Sequence, residues 1–172
     1  MGWLFYSRIT MSSFKLTWLV IASLSAGCAN YSPQKNIVGK SRVDLIAQMG
    51  EPEREYEWQG FQKLHYPRGP AGSHTYFVYL DHNNRIARWE QVLKEEYFNA
   101  VQPGMTKNQV IDLIGVTKIT NGLARDRGYL WHYRYETPFC SSFVIEFTAE
   151  DTVRSTFYRM RSGRTCKYVG PG

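Results

Sequence analysis

Gly39-Lys40-Ser41-Arg42-Val43-Asp44-Leu45-Ile46-Ala47-Gln48-Met49-Gly50 and Gly104-Met105-Thr106-Lys107-Asn108-Gln109-Val110-Ile111-Asp112-Leu113-Ile114-Gly115 align without a gap, 65 residues apart. Ser41 and Thr106 stand where an N-cap hydroxyl is needed. Asp44 and Gln109 follow three residues later, where a side chain reaches back to the cap's N–H and closes a capping box. Gly50 and Gly115 supply the C-terminal stop. Leu45, Ile46 and Met49, and in the second copy Val110, Leu113 and Ile114, form one apolar stripe at helical spacing. The passage therefore predicts a short amphipathic helix that occurs twice, which makes the chain an internal repeat.

Strand chemistry follows each helix. Leu64-His65-Tyr66 matches Trp131-His132-Tyr133 at an offset of 67, and Thr75–Leu80 matches Ser142–Phe147 at the same offset. Tyr129, Trp131, Tyr133 and Tyr135 alternate with Leu130, His132, Arg134 and Glu136, the period of a strand with one aromatic face. The turn-forming clusters Asp81-His82-Asn83-Asn84 and Thr148-Ala149-Glu150-Asp151 lead into Arg85–Trp89 and Thr152–Thr156, so each copy ends in an antiparallel meander. Leu93–Val101, stopped before Pro103, reads as a first helix of the second unit. Its counterpart in the first unit is at best Asn36-Ile37-Val38.

The N-terminus reads as an address. Leu16–Ala26 carries no charge, follows Lys15 and runs into Gly27-Cys28. A basic flank, a short apolar run and small residues describe a secretory signal peptide. Its end resembles a bacterial lipoprotein signal, which implies that Cys28 is acylated and residues 1–27 are removed. Ser25 stands where a large aliphatic residue is usual, and Leu24 sits one place further out. Met11 opens a more typical signal than Met1 does. Ala29 is not acidic, which by the same resemblance favours the outer membrane. Residues 28–35 then form a linker, 36–92 the first unit and 93–172 the second. Cys140 and Cys166 remain for an oxidising compartment and are expected to form one disulfide, two unrelated buried thiols being the alternative. A turn pairing Phe147 with Thr152 would set Cys140 opposite Tyr158 or Arg159, with Cys166 folding back from beyond the strand end.

Composition narrows the functional classes. Charged residues make up 21% and aromatics 15%, enough apolar surface to build a core. A mean hydropathy of −0.41 excludes a polytopic membrane protein. The net charge of +6 is scattered, which gives nucleic-acid binding little support. No nucleophile with its base, paired carboxylates, phosphate cradle or metal-ligand cluster occurs at diagnostic spacing, so neither an enzyme nor a cofactor is expected. His65 and His132 occupy matched repeat positions and are expected to face solvent, opposite the aromatic face.

The Gly104-Met105-Thr106-Lys107-x-Gln109-Val110-x-x-Leu113-x-Gly115 pattern resembles the signature of the BamE/SmpA/OmlA outer-membrane lipoproteins, here as two tandem copies over about residues 36–165. The first copy keeps that family's proline in Gly50-Glu51-Pro52, and the second, Gly115-Val116-Thr117, lacks it. The resemblance implies an α+β fold of two ααβββ units, each with short helices on a three-stranded antiparallel meander. It also implies a non-enzymatic, lipid-anchored protein on the periplasmic face of the outer membrane, acting through protein contacts in envelope or outer-membrane protein assembly. Tandem ααβββ units also resemble the secreted β-lactamase inhibitory proteins, which implies a rival role as an inhibitor or binding module. The apolar positions expected to face inward agree between copies (Leu80 with Phe147, Ile86 with Val153, Tyr66 with Tyr133). Those expected to face outward differ (Lys63 with Leu130, Tyr79 with Glu146, Arg88 with Ser155). Trp58, Tyr79, Arg85 and Arg88 in the first unit, and Arg154 and Arg159 in the second, are the candidate partner-contacting residues.

Overall fold

A computed structural model describes residues 31–69, 72–124, 127–137 and 141–160. Cys28, Cys140 and Cys166 lie outside these residues, and with them the lipidation and disulfide readings. The element order is α1 (Arg42–Met49), β1 (Arg54–Trp58), β2 (Phe61–Arg68), β3 (His74–Leu80), β4 (Ile86–Gln91), α2 (Glu95–Phe98), α3 (Lys107–Ile114), β5 (Thr120–Gly122), β6 (Tyr129–Arg134), β7 (Ser141–Phe147) and β8 (Val153–Met160).

This corrects the expected α+β fold of two ααβββ units. The protein is mostly antiparallel β, with two four-stranded sheets in the orders β1-β2-β3-β4 and β5-β6-β7-β8. The additional strand arises because Arg54-Glu55-Tyr56-Glu57-Trp58 alternates with period two. It folds onto β2 through Gln59 and Gly60, both at positive φ (50° and 80°), as a tight hairpin with the twist of its strands requires. The expected first helix shrinks to the four residues of α2, and in the first unit residues 35–39 form turns and no helix.

The repeated passage forms the same device twice. Ser41 with Asp44, and Thr106 with Gln109, make complete capping boxes, and Gly50 and Gly115 end the helices at φ 76° and 81°. The chain entering each helix is pinned to the hairpin behind it. Gly39 and Arg42 donate to the carbonyls of Ile86 and Asn84, and Gly104 and Lys107 to those of Val153 and Asp151. Each third-to-fourth strand pairing carries a bulge at the equivalent point, Tyr79/Leu80 and Glu146/Phe147. The second bulge shifts the register away from the sequence expectation. Phe147 faces Val153 rather than Thr152, and Phe143 and Ser142 already occupy the places opposite Tyr158 and Arg159.

The layers run α1, first sheet, α3, second sheet. Leu45 and Met49 cover one face of the first sheet over Leu64, Tyr66, Tyr76, Val78, Leu80 and Ile86. The opposite face is buried as well, because α3 of the second unit lies on it. Phe77 and Tyr79 share one core with Val110, Ile111, Ile114, Trp131, Tyr133 and Phe147. Lys63, His65 and Tyr79 are therefore buried, at 1%, 2% and 2% exposure, and do not face solvent as expected. His132, the counterpart of His65, is half-buried.

Candidate functional site

The docking of α3 on the first sheet is held by a polar network inside an apolar contact. Lys63 Nζ donates to the Asp112 carbonyl at 2.5 Å and lies 4.0 Å from the Phe77 ring centroid. Burial pulls its pKa down to about 8, against the opposing charges of Asp112 and Glu90. The Tyr56 hydroxyl donates to Asp112 Oδ1, and His65 Nε2 lies 3.1 Å from that hydroxyl. Because the Tyr56 proton is committed to Asp112, His65 Nε2 carries the proton and donates. Its Nδ1, unprotonated in that tautomer, is buried and accepts no hydrogen bond among the described residues. The ring stacks on Phe77 at 4.2 Å. Burial first, then the charges of Lys63 and Arg54, push the His65 pKa down to about 3.

Beside this network Glu90 accepts from the hydroxyls of Tyr79 and Tyr97, both at 2.6 Å, and from Arg88 at 3.1 Å. Burial works against its carboxylate, and these donors outweigh it and hold its pKa below the ordinary value. Gly115 is required where α3 ends. A Cβ there would stand 3.0 Å from Thr75 Cγ2 on a backbone at φ 81°.

The buried lysine leads to a test. Between pH about 8 and the ordinary 10.5, the unfolded chain holds a proton at Lys63 that the native state does not. Stability should therefore rise with pH there by roughly 1.4 kcal/mol per unit. The raised pKa values of Tyr56, Tyr79 and Tyr97 act with the opposite sign, and only above about 10. We expect Lys63→Met to abolish the rise between pH 8 and 10 in urea-unfolding midpoints; an unchanged slope would contradict the burial of this cation.

Of the candidate partner-contacting residues, Trp58, Tyr79 and Arg88 come together. The Trp58 and Tyr79 rings lie 5.5 Å apart, and the Arg88 guanidinium sits 3.6 Å over Tyr79. Tyr79 is buried under this pair, so it holds the junction and is not open to a partner. Arg85 is elsewhere, exposed and donating to the Gly39 carbonyl at 3.0 Å. Arg154 bonds Glu146 at 2.9 Å, and Arg159 lies 5.6 Å from the Phe157 ring. A separate open groove of about 690 Å³ runs between the units, where His74, Tyr76, Trp89, Glu90, Tyr135 and Glu136 converge. Among the described residues no His, Cys, Asp and Glu side chains cluster as metal ligands.

The surface that sequence reasoning missed is the back of the second sheet. The residues on the face of the first sheet that α3 packs against have counterparts on the second. Lys63, His65, Phe77, Tyr79 and Arg88 correspond to Leu130, His132, Val144, Glu146 and Ser155, and Glu90 to Phe157. Strand pairing sets Leu130, Glu146 and Ser155 in one row, and His132, Val144 and Phe157 in the next. Leu130, Val144 and Phe157 belong to neither apolar core, and among the described residues no helix lies on them. Leu130 and Phe157 are half-buried, and Val144, which pairs with Phe157, is fully buried. The available signal was the uninterrupted run His74-Thr75-Tyr76-Phe77-Val78-Tyr79-Leu80, which marks a strand covered on both faces. Its counterpart in β7 asks what covers the second face there.

Neither a protein family nor a curated protein matches the chain. Among solved structures, an extracellular protein containing an SCP domain from Bacillus anthracis is similar at a TM-score of 0.32 and 10% identity over 84% of this chain. The chain spans 56% of that protein's length. A DUF4309 family protein, YjgB of Bacillus subtilis, is similar at a TM-score of 0.28 and 16% identity, over 76% of this chain and 88% of its own. Likenesses of this size carry no conclusion about fold or activity.

Proposed function

We propose that the chain is a non-enzymatic, lipid-anchored protein of the periplasmic face of the outer membrane that works as a docking module, with the back of its second sheet as the contact surface. One observation carries the docking reading: the surface of Leu130, His132, Val144 and Phe157 is the repeat counterpart of a surface that, in the first unit, receives a helix. A half-buried apolar patch ringed by Arg154, Glu146 and Arg159 has the make-up of a protein contact, with an apolar centre and a charged rim. The anchored envelope reading is supported by the run Leu16–Ala26 into Cys28 and by the resemblance of the Gly104–Gly115 passage to the BamE/SmpA/OmlA signature. That resemblance also supports a role in envelope or outer-membrane protein assembly.

Chemical crosslinking in intact cells, followed by capture of the full-length chain, tests the docking surface. Phe157→Asp should remove the captured partner by tenfold or more, whereas Arg85→Glu, on the far side of the first sheet's hairpin, should leave it. Equal capture by both variants would show that the back of the second sheet is not the contact.

A further inference from the structure

Resting on the anchored reading above, we infer that the end of the two sheets where β3 begins and β8 stops is a membrane-facing surface, set against the headgroups of the leaflet that holds the Cys28 anchor. Turns 81–84 and 148–151, at the other end, point away from the membrane.

The tether carries the first part of the argument. The Tyr31 hydroxyl donates to His74 Nδ1, and the opposite ring nitrogen, Nε2, meets Glu136 of the second unit at 3.2 Å. The Tyr31 and His74 rings stand edge-on at 5.1 Å. Gly69 makes room for this seat, since a Cβ there would collide with the Tyr31 hydroxyl. Further along, Pro33 is buried and Ile37 joins the core over the first sheet. The chain thus enters the fold at a fixed point, beside the first residue of β3. Cys28 lies three positions before Tyr31, a reach of at most ~11 Å even when fully extended. From that point β3 runs ~20 Å to the turn that begins at Asp81. A lipid on Cys28 therefore holds the Tyr31 end at the bilayer, and the far end cannot take its place.

Surface chemistry carries the second part. Strand pairing sets Arg134 and Arg159 on either side of Ser142, in the next-to-last row of the second sheet at this end. Neither forms an ion pair among the described residues. The acids of this end are engaged already, Glu53 with Lys118, Glu96 with Lys94 and Glu136 with His74. Met160, which closes β8 opposite Ser141, is 74% exposed. The sequence that continues from it, residues 161–172, brings Arg161, Arg164 and Lys167 and no acidic residue. Cations around an exposed apolar side chain suit an anionic headgroup layer. One acyl chain alone gives only marginal attachment, and a basic surface beside it is the kind of second contact that makes anchoring firm.

Photocrosslinking to lipid tests this. Benzoylphenylalanine is placed at position 118, beside the turn after β2, or at position 83 or 149 in the far turns, in the full-length chain purified from membranes. Each protein is reconstituted into vesicles of phosphatidylcholine with phosphatidylserine and irradiated, and phospholipid adducts are measured by mass spectrometry. The parent chain should give at least tenfold more adduct at 118 than at 83 or 149. A flexible glycine–serine stretch of about twenty residues, inserted between Asn30 and Tyr31, removes the constraint of the tether without touching the fold. In that chain the preference for 118 should persist on the phosphatidylserine vesicles and disappear on phosphatidylcholine alone. Equal yields at the three positions of the parent would mean that the module lies on its side, and an excess at 83 or 149 that it stands the other way up; either overturns the inference. So does an absence of lipid adducts, adducts from 118 to residues 161–172 in their place, or a linker-bearing chain with no preference on phosphatidylserine vesicles. Fatty-acid labelling of the same preparations separates the two readings. An unlabelled chain refutes the anchor and the orientation with it, whereas a labelled chain with the wrong adducts refutes the orientation alone.

Discussion

Phe98→Ala is expected to cost about 3–5 kcal/mol of stability, the range of large aromatic deletions in well-packed cores. Phe98 is fully buried, stacked on Phe143 at 4.6 Å and met edge-on by Tyr135 at 5.0 Å. It belongs to a helix of four residues whose N-cap, Lys94, makes no side-chain capping bond. So short a helix has no stability of its own and exists only because this ring seats it. Losing the ring leaves a void between α2 and β7, and it frees Tyr97, whose bond to Glu90 ties the two units together, and Glu95, whose bond with Tyr135 holds α2 to its own unit. Guanidinium unfolding measures the loss, and Tyr158→Ala provides the contrast. Tyr158 faces the same ring of Phe143 but is 44% exposed, so its deletion should cost far less. A loss below about 1 kcal/mol for Phe98→Ala would mean that α2 does not anchor the second unit.

The second large effect is acid sensitivity. His65 is buried neutral, with its pKa down at about 3 against an ordinary 6.5. Below pH 6.5 the unfolded chain takes up a proton that the native state refuses. Stability should therefore fall as pH falls, by roughly 1.4 kcal/mol per unit, reaching about 3 kcal/mol near pH 4.5. Asp44, Asp151 and Glu90, whose pKa values are lowered in the native state, act in the same direction but only near and below the ordinary carboxylate range. The span from pH 6.5 to 5 therefore isolates histidine, with His132 a smaller contributor of the same sign. His65→Phe keeps the stack on Phe77 and should flatten most of that slope. A profile as steep as the parent's would place the acid sensitivity elsewhere.

Local signals were legible in the sequence and contacts between units were not. The capping pairs Ser41/Asp44 and Thr106/Gln109, with their glycine stops, specify their helices through bonds spanning three residues, and both occur as read. β1 escaped because Arg54, Glu55 and Glu57 make its short alternation look like a charged loop. With it went the four-stranded, mainly β character of each unit. Lys63 and His65 were assigned outward because polar residues on a strand ordinarily meet water. Their burial depends on Asp112, nearly fifty residues on, which no period within β2 reveals. The same long-range placement moved Tyr79 from candidate contact residue to the core.

A helix covered on both sides also bears on the order in which the molecule is made. When synthesis runs from the N-terminus, α1 and the first sheet emerge with one face already closed. The other face, with Phe77, Tyr79, Lys63 and His65, stays bare until the segment ending at Gly115 arrives. In that interval the nascent chain exposes a tacky aromatic surface that can be captured by whatever it meets. A stop or proteolytic cut between the units would leave that surface permanently bare, so a solitary first unit should be cleared rather than accumulate. Duplication has given this chain a sheet that cannot live without its neighbour.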